Sequence, residues 1–60
     1  MTIDDVLAAA ADVFTADGVT VWIDAPNALL GRRTPRDVVA DGDGQSVLDV
    51  LEALAEGVVL

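Results

Sequence analysis

The sequence predicts an all-α fold, a compact single domain of about four short helices, on three observations. Apolar residues recur at three- and four-residue spacing near both ends of the chain. Thr2 and the pair Thr34-Pro35 supply helix starts. The one stretch with strand character, Val19-Thr20-Val21-Trp22-Ile23, has no second strand in the sequence to pair with, and a lone strand leaves its backbone groups without partners.

Thr2, followed three residues later by Asp5, reads as a capping box, with Asp4 at the positive end of the helix dipole. Ile3, Val6, Leu7, Ala10, Val13 and Phe14 then follow at helical spacing, and Gly18 stands where a C-terminal cap belongs. Ala8 to Ala11 thin this stripe and would let a neighbouring helix pack closely. Val19 to Ile23 has local strand propensity, but the missing partner favours a short helix that closes before Pro26. The connection Ala25 to Gly31 is rich in turn residues and carries Leu29 and Leu30. Thr34 as N-cap and Pro35 at the first helical position open a third helix to about Ala40, with Val38 and Val39 facing inward. Asp41-Gly42-Asp43-Gly44 breaks it. A final helix covers about Gly44 to Glu56, with Val47, Leu48, Val50, Leu51 and Leu54 on one face, and Gly57 stops it before an apolar tail, Val58-Val59-Leu60.

Composition bounds what such a domain can do. With 60 residues it lies near the lower limit for independent folding, and its 53% apolar residues argue against disorder. Ten of those residues are alanine and ten are valine, so the core is built from small side chains. Ordering a residue costs roughly 1.5 kcal/mol, which so small a core barely offsets. No cysteine is present to add a disulfide or a thiolate metal site. A partner is therefore expected, either a second copy of the chain or another protein.

Eleven acidic residues face three arginines, a net charge of −8, which repels phosphate backbones and anionic membrane surfaces alike. No membrane is expected as a partner, and no nucleic acid through this chain alone. Asp4 and Asp5 occupy the place where a signal peptide carries basic residues, and the chain reads as cytoplasmic. Without His, Cys, Tyr or Lys, most catalytic nucleophiles and bases are missing. Neither an enzyme nor a cofactor is expected, and no metal.

From Phe14 onward, the residues Trp22-Ile23-x-x-Pro26-Asn27-x-x-Leu30-Gly31-x-x-Thr34-Pro35-x-Asp37, then Val47-x-x-x-Leu51 and Gly57, resemble the toxin-binding domain of the MbcA/ParS/Xre antitoxins of type II toxin–antitoxin systems. Trp22 to Asp37 is the specific part; the rest is a general helical pattern. The resemblance implies that residues 1–60 form a single antitoxin-like toxin-binding domain of short helices. It implies a cognate RES-type toxin that consumes NAD, whose active site the antitoxin occludes; a homodimer or a higher hetero-oligomer is compatible with the expected partner. It also implies that the Gly-x-x-Thr-Pro turn and the last helix lie against the toxin. Two departures stand out. Only a short segment precedes Trp22, too little for the helix-turn-helix that many members carry, so DNA binding is not expected. Arg32 replaces a glycine frequent in the family, and Arg36 an apolar residue.

On this basis Asn27, Arg32, Arg33, Thr34, Arg36, Val58, Val59 and Leu60 are the expected toxin-binding residues, and Phe14, Trp22, Pro26, Leu30, Gly31, Pro35, Leu51 and Gly57 the structural motif. Several have a second reading. Trp22 is a core residue or a binding hot spot. Asn27 presents its amide outward or caps its own turn. The arginines, all within five positions, bind a partner or neutralise local carboxylates such as Asp37. The tail is a frayed end or an apolar plug.

Two other readings are weaker. Residues 41–52 place Asp41, Asp43, Gln45, Asp49 and Glu52 at positions of a calcium-binding EF-hand loop, but Ser46 stands where its sharp turn needs glycine. An acidic carrier protein would need Asp before Ser46 and more chain after it. Outside the antitoxin class, the alternative is an acidic helical adaptor that covers its apolar surface with a second copy.

Overall fold

The computed structural model describes residues 2–57, and the N-terminal capping box closes in it. The Thr2 hydroxyl accepts the Asp5 N–H at 3.4 Å, and the Asp5 carboxylate accepts the Thr2 N–H at 2.9 Å. Helix α1 spans Ile3–Ala11. It ends before its apolar spacing does, because the chain tightens to three-residue bonds there: Asp12 N–H donates to the Ala9 carbonyl, and Val13 N–H to that of Ala10. Val13 and Phe14 lie past the helix end yet still pack on the core.

Gly18 is not the cap of α1, contrary to its position in the sequence pattern. It is the third residue of α2, Ala16–Ile23, whose N-cap is Thr15; the Thr15 hydroxyl accepts the Gly18 N–H at 3.1 Å. Space explains the glycine, since a Cβ there would stand 3.2 Å from both Phe14 Cβ and Thr15 Oγ1. The β-branched run that follows is helical. Val19 and Ile23, four residues apart, are 9% and 2% exposed, while Val21 between them is 70% exposed. The Thr20 hydroxyl donates back along the helix to the Ala16 carbonyl at 3.2 Å, which satisfies it without a partner outside α2.

After a short 3-10 turn at Ala28–Leu30, α3 spans Pro35–Ala40 and α4 spans Gly44–Ala55. Thr34 caps α3 by accepting the Asp37 N–H at 3.1 Å, and Pro35 fills its first position. Gly57, at φ +75°, closes α4 by donating to the Leu54 carbonyl at 3.1 Å, one of the two bonds of a Schellman cap. The core takes Val6 and Ala10 from α1, Val19 and Ile23 from α2, Val38 and Val39 from α3, and Val47 and Leu51 from α4. α4 is the spine: α1 and α3 pack on it, and α2 lies against α1 and α3. The result measures 27 × 22 × 18 Å. Among the described residues there is no strand and no helix long and apolar enough to cross a membrane.

Candidate functional site

The turn between α2 and α3 carries four of the expected binding residues, Asn27, Arg32, Arg33 and Thr34, with Arg36 following in the first turn of α3, and Asn27 organises it. Its backbone N–H donates to the Arg33 carbonyl at 3.0 Å, forming an isolated antiparallel bridge. Its carbonyl accepts the N–H groups of Leu30 and Arg32, each at 2.9 Å. Its side-chain Oδ1 accepts the Leu29 N–H at 2.9 Å, which is the self-capping reading of this residue. Four bonds thus converge on one residue and close residues 27–33 into a fixed loop. Gly31 and Arg32 complete the reversal at φ +67° and +66°. Thr34 then hands the chain to α3 through its cap.

The three arginines do not play one part. Arg36 pairs with Asp24 at the end of α2, Nε to Oδ1 at 2.7 Å and Nη2 to Oδ2 at 3.3 Å. That two-pronged contact holds the Asp24 carboxyl below the usual aspartate range and raises Arg36. Arg33 pairs with Asp41 beyond α3 and also donates to the Asp37 carbonyl at 3.3 Å. The carboxylates paired directly are therefore Asp24 and Asp41; Asp37 gives Arg33 its backbone oxygen, and its charge adds a smaller stabilising field at Arg36. Arg32 is exposed and makes no ion pair among the described residues.

Beside this loop, Leu29, Leu30, Val50 and Ala53 line an open apolar groove of about 360 Å³ against α4, edged by Ser46 and Asp49. Leu29 is 48% exposed there. Pro35 is fully buried, Leu51 is buried, and Leu30 is half-buried against the core. Trp22 is half-buried, its ring 5.5 Å from that of Phe14, so most of its role is packing. Pro26 is exposed and ends no helix itself, since Asp24 already caps α2. Val58, Val59 and Leu60 lie outside the described residues.

Sequence reasoning missed Asp24 and Asp41 as the arginines' partners, and Thr15 as the cap of α2. Thr15 with Asp17 was a readable helix start, hidden by the assignment of Gly18 as a stop. Asp24 meets Arg36 across twelve positions, which no local pattern discloses. The calcium reading fails in its geometry: Gly44–Ala55 is helix, so residues 41–52 form no twelve-residue loop. Asp43 instead accepts the Ser46 hydroxyl at 2.8 Å and Gln45 donates to Asp49 at 3.0 Å. Among the described residues no group of three potential ligands converges on a metal site. What the arrangement offers is recognition: a rigid loop, one unpaired guanidinium and an apolar groove.

Residues 9–57 match the family description "Antitoxin Xre/MbcA/ParS C-terminal toxin-binding domain". The chain is 48% identical over 50 residues to the mycobacterial cidal antitoxin MbcA of Mycobacterium tuberculosis and of Mycobacterium bovis, a match that takes in 83% of this chain and 44% of the relative. It also superposes on a chain from the crystal structure of the M. tuberculosis MbcT–MbcA toxin–antitoxin complex, with a TM-score of 0.93 and 43% identity over 97% of this chain and 52% of that one. The chain thus spans about half the length of the relatives it matches. With the loop motif in place and the fold shared, the chain belongs to the Xre/MbcA/ParS antitoxin family, as its C-terminal toxin-binding domain.

Proposed function

We propose that this chain is an antitoxin that binds a cognate toxin, an NAD-consuming enzyme of the RES type, and sterically covers the entrance to its active site. The observation that supports this most is the close structural match, over nearly the whole chain, to a component of a toxin–antitoxin complex. The RES type follows from the family resemblance. The contact surface in this reading is the loop with Asn27, Arg32, Arg33, Thr34 and Arg36, continued by α4 and the tail Val58-Val59-Leu60. Asn27 and Thr34 shape the loop through their own backbone bonds, and the internally paired Arg33 and Arg36 brace it.

Physical chemistry favours this kind of role. A small core of valine and alanine gains stability by mass action when a partner covers its surface. The −8 charge steers the chain toward a basic rim, such as one that holds the phosphates of a dinucleotide, and away from nucleic acid. In this reading both proteins act in the cytoplasm, where a dinucleotide substrate is available. Affinity purification of the tagged chain from the cells that make it, with mass spectrometry of what it carries, tests the reading. A stoichiometric RES-type protein is the expected result. Recovery of the chain alone, as a self-associated species, would replace the antitoxin with the homo-oligomeric adaptor.

A further inference from the structure

We propose that Arg32 is the specificity-determining residue of the toxin-facing loop and that it reads an Asp or Glu carboxylate on the partner; this rests on the antitoxin reading above. Among the described residues Arg32 is the one non-glycine at positive φ. At +66° it occupies the left-handed region, which costs an L-residue with a Cβ and which glycine enters freely. The loop imposes that conformation, because the Arg32 N–H is held by the Asn27 carbonyl and the next residue by the Asn27–Arg33 bridge. Glycine is therefore the least strained residue for this position, and arginine is kept at a cost.

Among the described residues nothing offsets that cost. Arg33 and Arg36 each find a carboxylate, Asp41 and Asp24, although both are half-exposed. Arg32 finds none among the described residues, in a chain with eleven acids. It is exposed and covers no part of the core. Carried on a strained, hydrogen-bonded backbone and unpaired among the described residues, this guanidinium is a planar donor fork suited to a carboxylate that accepts two parallel hydrogen bonds. Its fixed backbone also means that only side-chain freedom is lost when it engages.

The test uses the toxin that co-purifies with the native chain, purified and titrated against Arg32→Gly, Arg32→Lys and the native protein. Arg32→Gly is expected to keep or raise the thermal midpoint of the free domain while weakening binding by about tenfold or more, the loss expected for a charge-assisted hydrogen bond. Arg32→Lys retains the charge without the planar fork and falls between the two. A purely structural role predicts the reverse, with stability and affinity moving together. Arg32→Gly binding within about twofold of the native chain would overturn the assignment while leaving the antitoxin reading intact. If no toxin binds the native chain at all, the antitoxin reading fails first, and this assignment with it.

Discussion

Replacing Val19 and Val21 separately by alanine puts the helical state of the β-branched segment to a direct test. In a strand, residues 19, 21 and 23 would share one face, and both substitutions would cost the same. In α2, Val19 is 9% exposed and Val21 is 70% exposed, so identical chemistry is applied to a buried and an open position. Val19→Ala removes two methyl groups from the core at about 0.8 kcal/mol each and leaves a small void, a loss of about 2 kcal/mol. A 60-residue domain holds about 3–9 kcal/mol in all, so this is a large fraction. Its thermal midpoint should fall by about 8–16 °C. Val21→Ala should change stability by less than about 0.5 kcal/mol, with alanine's helix propensity pulling toward a gain. Thermal unfolding followed by far-ultraviolet circular dichroism, with Trp22 fluorescence as a second probe, reads both. Equal losses at the two positions would refute the helix and the core built on it.

Two further outcomes follow from the caps and charges. Thr34→Ala leaves the Asp37 N–H without its acceptor at the start of the six-residue α3 and should cost about 0.5–2 kcal/mol, with Thr34→Ser largely neutral in the same denaturation assay. Asp24 is held below its ordinary value of 3.8 by Arg36, so this pair's contribution is complete above that value and disappears as the pH falls through the lower folded one. Asp24→Asn should therefore lower the thermal midpoint at about pH 6, by a margin that closes as the pH falls through the lowered folded value and the native aspartate is protonated as well. The difference between native and variant is what counts, because Asp5, held low by the Thr2 N–H, loses its own contribution over the same acid range.

The local chemistry of this fold was legible because it is local. Thr2, Thr34-Pro35, Gly57 and the valines of α3 and α4 act within one helical turn, and each does in the structure what its sequence neighbours predict. Gly18 misled because glycine answers two demands, a left-handed cap and a close approach, and only the packing of Phe14 and Thr15 shows that the second applies. The propensity of Val19 to Ile23 was overridden by the absence of a partner strand, a topological fact that outweighs residue preference. At the candidate site, the motif placed the loop and Asn27's capping role. It could not sort the arginines, because Asp24 and Asp41 reach them from other elements and the positive φ of Arg32 depends on the whole loop.

The central claim, that this domain silences an enzyme by covering its active site, is tested most directly by the NAD consumption of the co-purifying toxin as the chain is added. Occlusion predicts that turnover falls toward zero in proportion to the fraction of toxin bound, and that excess NAD competes with the chain for the enzyme. Full binding with undiminished turnover would contradict the account.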